Sequence, residues 1–374
     1  MTKKNICLLL TYALITACAG QVGAQKQVSA QKIESFPVKK LLHAEKIKVN
    51  EVFSLDGIKV KKGSLFVTDS KSNDTMLYQY SLPEFQCIYK GGAKGGAEDE
   101  FQIFPAFCKT VSDNIYIWGY TPFTIKSFAL DDTNHLSFEK KIELPISVNM
   151  VNFMNIVNDS LLIYSAYPSK LDIEKINLNT QQITGRISLE MESHKETFFD
   201  KNRGYLAAND SLIIYAYTYK KQIDIYGVDD MKLRKRLVGE NTVPHIVVGD
   251  VKETEFRQRE LVAGKHYFYI RCRKPKNMEG CFIEVYDYSG RSIAQYELTE
   301  MLYAFDVDED NSTIYGYNSD IFEDGFLKYT LNGSIRVGQS NLYGSDPSVQ
   351  FKPIWSVGVA WNLKRESFMD QVDF

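Results

Sequence analysis

The stretch Leu212-Ile213-Ile214-Tyr215, followed after a polar turn by Ile223-Asp224-Ile225-Tyr226, contains the pattern that decides the fold of this chain. Both halves have the length of a strand, and the second alternates apolar and polar residues, as a strand with one wet face does. Runs like the first half recur every 46 to 55 residues, which is a spacing typical of propeller repeats. The six runs are Leu65-Phe66-Val67, Ile115-Tyr116-Ile117, Leu161-Leu162-Ile163-Tyr164, Leu212-Ile213-Ile214-Tyr215, Tyr267-Phe268-Tyr269-Ile270 and Thr313-Ile314-Tyr315.

A partner strand follows each run, and a third apolar run follows most of them. We call the six runs listed above the anchor runs. If the apolar run before each anchor run is also counted, a repeat holds about four strands. A four-stranded sheet cannot bury both faces by itself. The sequence therefore predicts an all-β, six-bladed β-propeller with four-stranded antiparallel blades, and two packed β-sandwiches are the main alternative. The partner strands are Met76-Leu77-Tyr78-Gln79-Tyr80, Ile125-Lys126-Ser127-Phe128, Leu171-Asp172-Ile173-Glu174-Lys175-Ile176, Ile223-Asp224-Ile225-Tyr226, Phe282-Ile283-Glu284-Val285-Tyr286 and Phe326-Leu327-Lys328-Tyr329.

A closed ring needs one chain end to complete the sheet formed by the other, so that no sheet edge is left free. Two segments are candidates for this closing strand: Lys46 to Phe53 near the beginning of the chain, and Val349 to Trp361 near its end. The sequence does not distinguish between them.

The first residues have the composition of an export signal. Lys3 and Lys4 precede an apolar run that ends in Ile15-Thr16-Ala17-Cys18. A basic start, about a dozen apolar residues and then small residues indicate a secretory signal. We expect residues 1–17 to be the signal, 18–38 a polar tether and 39–374 the propeller. Cleavage after Ala24 is the alternative, and it would release a soluble periplasmic protein.

Composition argues against nucleic acid as a partner. The 374 residues carry a net charge of −3, whereas binding to nucleic acid needs a basic patch or stripe. The one short basic run is interpreted as protection of an edge strand against pairing with another sheet. Its residues are Lys232, Arg234, Lys235 and Arg236.

Four cysteines follow the signal region: Cys87, Cys108, Cys272 and Cys281. An exported chain meets oxidising conditions, and a hairpin formed by the runs around residues 273–280 would bring the last two cysteines face to face. Cys272 and Cys281 are therefore candidates for a disulfide. No metal site or cofactor is predicted, because the cysteines and the five histidines lack the short doublets of zinc sites.

The segment from Gly91 to Phe101 carries a resemblance. It reads Gly-Gly-Ala-Lys-Gly-Gly-Ala-Glu-Asp-Glu-Phe, with Pro105 shortly after. Together with the export signal and the six repeats, it resembles the TolB-like six-bladed propeller lipoproteins of Gram-negative cell envelopes. That family often has Gly-Pro-x-Glu-Phe here, whereas this chain has Ala97 in place of the proline and one additional acidic residue. The resemblance implies a propeller fold and a cell-envelope address, and it implies no reaction because most members have no assigned activity. Lipidation of Cys18 is expected because Ile15-Thr16-Ala17-Cys18 resembles the lipobox of bacterial lipoproteins.

Several local patterns have a structural and a functional interpretation. The glycine-rich segment suits a crossover between blades, with Glu100 accepting backbone hydrogen bonds and Phe101 filling a gap between sheets; a phosphate cradle would need a following helix. The sequence from Asp306 to Asn311 matches only half of a calcium loop and predicts a polar turn. Candidate binding residues are aromatic side chains expected near strand ends, namely Trp118, Tyr120, Tyr217 and Tyr219, the last two expected to be exposed.

These observations predict a monomeric, lipid-anchored envelope protein that faces the periplasm rather than the cell surface. We expect a non-enzymatic module that binds a protein or a glycan at one mouth of the ring. The alternative is a hydrolase or lyase that acts on a carbohydrate or lactone at an axial site. Convergence of acidic or histidine side chains at the mouth would favour catalysis, and an apolar-aromatic mouth would favour binding.

Overall fold

A computed structural model describes residues 28–331, apart from short gaps, and shows 27 strands, one short helix α1 (Ser319–Phe322) and one 3₁₀ turn (Thr197–Phe199) in these residues. The predicted signal, Cys18, the cleavage site after Ala24 and the C-terminal candidate for ring closure lie outside the described residues. The gaps are residues 52–53, 70–71, 73, 103–104, 111, 113, 121–122, 134, 145–150, 167–170, 190–196, 241, 275–277 and 324.

The strands form six small sheets, one for each sequence repeat, and these are the blades. Each predicted anchor run is the second strand of its blade and each predicted partner run is the third, if the two-residue strand β9 (Lys109–Thr110) at the inner edge of blade 3 is left out of the count. Blade 1 consists of β4 (Leu55–Lys61), β5 (Ser64–Asp69), β6 (Leu77–Ser81) and β7 (Cys87–Gly91). Blade 2 consists of β8 (Ala106–Phe107), β10 (Ile115–Tyr120), β11 (Phe123–Leu130) and β12 (Leu136–Glu143). Blade 3 consists of β9 (Lys109–Thr110), β13 (Val151–Val157), β14 (Leu161–Ala166), β15 (Leu171–Asn177) and β16 (Gln182–Leu189).

The second half of the ring repeats this arrangement, so the prediction of a six-bladed β-propeller is confirmed. The strands of blades 4 to 6 are antiparallel to their neighbours within each blade. Blade 4 contains β17 (Gly204–Ala208), β18 (Leu212–Tyr217), β19 (Gln222–Gly227) and β20 (Leu233–Val238). Blade 5 contains β21 (Gln258–Ala263), β22 (Tyr267–Arg273), β23 (Cys281–Asp287) and β24 (Ser292–Leu298). Blade 6 contains β25 (Ala304–Asp308), β26 (Thr313–Tyr317) and β27 (Gly325–Thr330).

The N-terminal segment runs along the outside of three blades and closes the ring. Strand β1 (Ala30–Lys32) pairs in parallel with β20, β2 (Val38–Leu42) pairs in parallel with β24, and β3 (Glu45–Lys48) pairs antiparallel with β27. The first of the two closing segments proposed from sequence, Lys46 to Phe53, thus supplies the fourth strand of blade 6. The closing strand is β3.

Two sequence expectations are wrong at this edge of the ring. The tether predicted for residues 18–38 already contains β1 and the first residue of β2. Strand β1 covers only the second half of the basic strand β20, Arg236–Val238, so the interpretation as edge protection is wrong for Arg236 and is not tested for Arg234 and Lys235. Arg236, which was interpreted as edge protection, instead binds the Asp224 carboxylate, with nitrogen-to-oxygen distances of 2.8 and 2.6 Å.

The apolar core is divided among the interfaces between blades. Six clusters of buried side chains occur, and each joins two neighbouring blades. The cluster that joins blade 6 to blade 1 places the rings of Tyr80 and Phe326 5.5 Å apart. Each thin sheet therefore buries its faces against its neighbours, as expected for a ring of stacked repeats.

One lysine side chain joins the innermost strands of three successive blades. Lys109 lies on β9, the innermost strand of blade 3, and its ammonium donates to the carbonyls of Leu206 (2.8 Å) and Leu261 (2.6 Å). Those carbonyls belong to the innermost strands of blades 4 and 5. Lys109 therefore links the innermost strands of blades 3, 4 and 5.

Candidate functional site on the upper face of blades 4 to 6

The two ends of the propeller have different surfaces. We call the upper face the end at which the chain enters the innermost strand of each blade. On the lower face, short polar turns satisfy their own backbone groups: Asn209 Oδ1 accepts from the N–H groups of Ser211 (2.9 Å) and Leu212 (2.8 Å), and Asp308 Oδ1 accepts from that of Asn311 (3.0 Å). Such turns leave few groups for a partner to bind.

The upper face of blades 4 to 6 exposes apolar side chains. Among the described residues, ten large apolar side chains are exposed; four lie on outer strands, and the other six all lie on upper loops of these three blades. Val243, on the loop from blade 4 to blade 5, is 81% exposed. Exposed apolar groups concentrated on one face indicate an interaction site. The six are Val243, Val247, Val248, Met278, Tyr303 and Ile321.

Beside these residues lies a set that we call the aromatic–arginine cluster. The Tyr219 ring centroid lies 5.3 Å from that of Phe256, and Phe198 packs against Phe256 at 6.3 Å. Guanidinium groups lie over the faces of two of these rings, at 4.1 to 6.0 Å from the centroids, which is the geometry of cation–π contacts. The cluster consists of Phe198, Tyr219, Phe256, Arg203, Arg259 and Arg273.

Two buried polar side chains next to the cluster have atoms without hydrogen-bond partners within the described residues. These atoms are the Thr218 hydroxyl oxygen and both amide atoms of Gln258. The two residues are in contact, because the N–H of Gln258 donates to the carbonyl of Thr218 at 3.2 Å. Buried polar groups are nearly always paired, so these atoms indicate a place where water or a ligand binds.

The four aromatic residues predicted from sequence do not form an exposed rim. Trp118, Tyr217 and Tyr219 are buried, and the side chain of Tyr120 lies outside the described residues. Tyr217 donates a hydrogen bond to Asp224 Oδ2 at 2.9 Å, and burial raises the pKa of its phenol. The expectation that Tyr217 and Tyr219 are exposed is wrong, because Tyr217 packs in the cluster between blades 3 and 4 and Phe256 of a later loop packs against Tyr219.

The sequence reasoning missed the exposed valines and the arginines. The stretch from Val243 to Val248 could have predicted the exposed valines, because it has four apolar residues and a proline in a loop rather than in a strand. Such a loop does not belong to the core, so its apolar residues are available to a partner.

The proposed disulfide is not formed. Cys272 pairs with Phe282 across the hairpin, and Cys281 pairs with Arg273, so the two thiols lie on opposite faces of blade 5. Cys272 packs toward blade 4 and Cys281 toward blade 6. The prediction that the two cysteines face each other is therefore wrong, because the residue opposite Cys281 is Arg273, one position after Cys272. Burial also raises the pKa of both thiols, which keeps them protonated.

The glycine-rich segment has the structure expected of a crossover between blades. Glu100 Oε2 accepts from the N–H of Ala97 at 2.8 Å, and Phe101 is buried in the cluster that joins blades 1 and 2. Gly92 has φ +70°, and a Cβ there would lie 2.7 Å from the Phe101 ring. Only glycine fits this position.

Within the described part of the chain, no group of three or more His, Cys, Asp or Glu side chains could hold a metal ion. The acidic stretch that resembles half of a calcium loop has separate structural tasks. Asp306 Oδ2 accepts from the N–H of Val60 at 3.1 Å, which ties blade 6 to blade 1, and Asp308 caps a turn.

Comparisons with known proteins agree with this architecture. Residues 35–310 match the TolB-like 6-blade propeller-like family, and the chain belongs to that family. No curated protein matches the sequence. No helix in the described residues is long and apolar enough to cross a membrane.

Three solved structures match this chain at low sequence identity. A Bacteroides fragilis protein described as exported is 12% identical, with a TM-score of 0.49, and the match covers 78% of this chain and 98% of that one. The computationally designed Ika8 protein is 10% identical, with a TM-score of 0.42, over 77% and 100% of the two chains. The Neurospora crassa Pan2 WD40 domain is 9% identical, with a TM-score of 0.41, over 72% and 86%. None of these similarities indicates a function.

Proposed function

We propose that this protein is an exported, lipid-anchored binding module whose upper face at blades 4 to 6 binds another protein. The observation that carries the proposal is the exposed apolar side chains beside the aromatic–arginine cluster. Interfaces are enriched in aromatic residues and arginine, and a few such residues contribute most of the binding energy.

The chemistry of this face favours a protein partner with acidic and apolar residues. Arg273 is exposed and lies 6.0 Å from the Phe256 ring, so its guanidinium can bind a carboxylate while its plane stays against an aromatic group. Val243 and Val248 add apolar area that water does not favour. A glycan partner would need open aromatic faces, whereas Tyr219 and Phe256 are buried and arginine side chains lie over the face of Phe256.

Lipid attachment rests on the sequence around Cys18. If this cysteine carries the anchor, nine residues separate it from Val28, the first described residue, and these span at most about 35 Å. The propeller would therefore stay near the membrane. A Cys18→Ala variant tests this step: we expect it to appear in the soluble fraction, and unchanged attachment to membranes would contradict lipidation.

Binding is tested with the full chain isolated from detergent-solubilised envelopes. We compare the wild type with Arg273→Glu and Val243→Asp by quantitative mass spectrometry of co-purified proteins. We expect both variants to lose the same partner by tenfold or more, which corresponds to about 1.4 kcal/mol. Ile183→Asp is the matched control, because Ile183 is 51% exposed on the outer strand β16, away from the upper face. A partner lost equally from all three variants, or from none, would refute the proposal.

A further inference from the structure

The outer strands of the blades are covered in one half of the ring only. Strand β3 completes blade 6, and blades 4 and 5 each carry an additional parallel strand, β1 on β20 and β2 on β24. Within the described residues, no strand pairs with the outer side of β7, β12 or β16 in blades 1 to 3. An uncovered outer strand presents a row of backbone N–H and C=O groups with which another strand can pair.

Two of these three strands have features that protect an exposed edge. Strand β7 is five residues long, and β12 has four charged residues among its eight, namely Glu139, Lys140, Lys141 and Glu143. Short edge strands and charged side chains both disfavour pairing with another strand. Water can therefore remain the neighbour of β7 and β12.

Strand β16 lacks both features. It is eight residues long, and its one charged residue, Arg186, is bound to Glu174, with 2.8 Å between Arg186 Nε and Glu174 Oε1. Ile183 is 51% exposed, and the half-buried Ile187 and Leu189 pack against the cluster that joins blades 3 and 4. A long, nearly uncharged edge with exposed apolar groups is expected to be covered by a further strand.

The corresponding strands of blades 4 and 5 show how such an edge is covered. Arg236 of β20 and Gln295 of β24 occupy the place of Arg186, because each lies opposite the acidic residue of its third strand. Both positions are paired with the N-terminal segment: Arg236 with Ala30 of β1, and Gln295 with Lys39 of β2. Both additions run parallel to the outer strand, toward the upper face. The expected cover for β16 is therefore a parallel strand that also runs upward.

The C-terminal part of the sequence has the pattern of such a strand. Beyond Pro353, large apolar residues alternate with small ones over Trp355-Ser356-Val357-Gly358-Val359-Ala360-Trp361. This alternation is typical of a strand with one apolar face, and aromatic and β-branched residues are enriched in strands. The residues before β1 lack the pattern, since Val22 and Val28 are the only apolar residues larger than alanine in residues 19–29.

The described residues end on the side of the ring where this strand would have to begin. Leu331 follows β27, and its N–H donates to the carbonyl of Ser312 at 2.8 Å, in the lower turn between β25 and β26. The next 22 residues, 332 to 353, can span at most about 75 Å, whereas a domain of 300 residues is roughly 50 Å across. The chain can therefore cross the lower face to blade 3 and run upward beside β16.

We propose that residues 355–361 pair in parallel with β16 as an additional outer strand of blade 3. The apolar face of this segment lies beside Ile187 and Leu189 and covers the part of each that is still exposed. Contacts between aromatic and β-branched side chains on neighbouring strands stabilise such a pair. The C-terminal segment thus protects an edge of blade 3, while β3 closes the ring.

Hydrogen exchange of the full chain in detergent, followed by mass spectrometry, tests this pairing. We compare the wild type with a variant that ends at Ser348. We expect the outward-pointing amides of β16 to exchange at least about tenfold faster in the shortened variant, because they lose their partners. Strand β12 is the matched control, since it is an outer strand of the same length, and its exchange should be equal in the two proteins. Strand β24, which β2 covers, should stay slow in both if the propeller is intact.

A double substitution keeps the C-terminal segment and removes the strand. Val357→Pro together with Gly358→Pro deletes two successive N–H groups, and one of these must point toward β16. We expect this variant to speed the exchange of β16 as the deletion does. Glu366→Pro with Ser367→Pro, beyond the strand, is the matched control and should leave the exchange unchanged.

Three results would overturn the proposal. The first is equal exchange of β16 in the wild type, the shortened variant and the variant with prolines at 357 and 358. The second is faster exchange of β16 in the control with prolines at 366 and 367. The third is slow exchange of β16 that is lost when the wild type is diluted, because a second copy would then supply the strand.

Discussion

Blades 2 and 4 have the same architecture but treat buried charge in opposite ways. In blade 4, Asp224 is fully buried and accepts hydrogen bonds from Tyr217, Tyr226, Gln222 and Arg236. In blade 2, Lys126 has Lys141 opposite it and backbone carbonyls as its hydrogen-bond partners. The comparison shows that one strand position can complete a closed network in blade 4 and, in blade 2, line a cavity of about 160 Å³ together with Lys141, Glu98 and Glu100.

The closed network of blade 4 is a structural device. Its members lie on three strands of the sheet and use nearly all acceptor sites of one carboxylate. A buried charge is tolerated only when it is paired and hydrogen-bonded, and its loss leaves several donors without an acceptor. Blade 2 lacks such a carboxylate, and so its stability should respond differently to substitution.

Removal of the carboxylate from blade 4 should have the largest effect. We expect Asp224→Ala to lower the free energy of unfolding by about 3–5 kcal/mol, because Arg236 and two tyrosine hydroxyls lose a buried partner. Urea denaturation at pH 7 measures this loss. Asp230→Ala is the control in the same blade, since its ion pair with Arg234 and its hydrogen bond from the Lys232 N–H are at the surface, and we expect it to lower the midpoint much less than Asp224→Ala does. Equal midpoints for the two variants would show that the network is not structural.

Blade 5 allows a test by pH. Burial acts to raise the pKa of Glu284, but the Lys221 ammonium and the hydrogen bonds from Tyr286 and Gln295 outweigh it and hold the pKa below its ordinary value of 4.5. This group therefore stabilises the fold above pH 4.5, and the contribution is lost as the pH falls through the lowered pKa.

We expect the difference in unfolding free energy between wild type and Glu284→Gln to shrink between pH 7 and pH 3. The change should be about 1.4 kcal/mol for each unit by which the pKa is lowered. Urea denaturation across this range measures it, and Glu279→Gln, at an exposed position of the same blade, should show no such change. A constant difference for Glu284→Gln would contradict the assigned pKa shift.

Blade 3 provides a smaller test of the same kind of network. Tyr164 donates a hydrogen bond to Glu174, and both side chains are buried. We expect Tyr164→Phe to cost about 1 kcal/mol, as the loss of one buried hydrogen bond does. Thermal unfolding compares it with Tyr303→Phe, which removes a hydroxyl at the surface and should cost less. The reverse order would mean that the network adds nothing in blade 3.

The smallest effect is expected in blade 2, and it has the opposite sign. Lys141→Glu should raise the free energy of unfolding by about 0.2–1 kcal/mol, because a repulsive cross-strand pair becomes attractive and the ion pair of Lys141 with Glu143 that is lost lies in water. Denaturation at low salt checks this gain, with Lys140→Glu as the variant of equal charge. A loss of stability would mean that the two lysines do not repel each other in the folded protein.

The fold was largely predictable from the sequence, because each blade contributes a similar pair of apolar runs. Strands β14, β18 and β22 begin at Leu161, Leu212 and Tyr267, where the repeat predicts them. The parallel additions were not predictable, since β1 is three residues long and polar. Its stability comes from an edge that only the folded blade 4 provides.

The candidate sites were less predictable for a similar reason. Tyr219 follows a strand and was expected to be exposed, but the loop that carries Phe256 packs over it. Cys272 and Cys281 were expected to meet, but the register of the hairpin places them on opposite faces. One residue of register reverses the direction of a side chain, and the sequence does not fix it.

The sequence by itself determined the number of blades, the order of their strands and the structural role of the glycine-rich crossover, because periodic apolar runs and local backbone preferences act over short distances. The tertiary structure alone decided which segment closes the ring, which aromatic side chains are covered and where two lysines meet above a cavity. Those outcomes depend on contacts between residues far apart in the chain, and such contacts form only when the six sheets pack around their common axis.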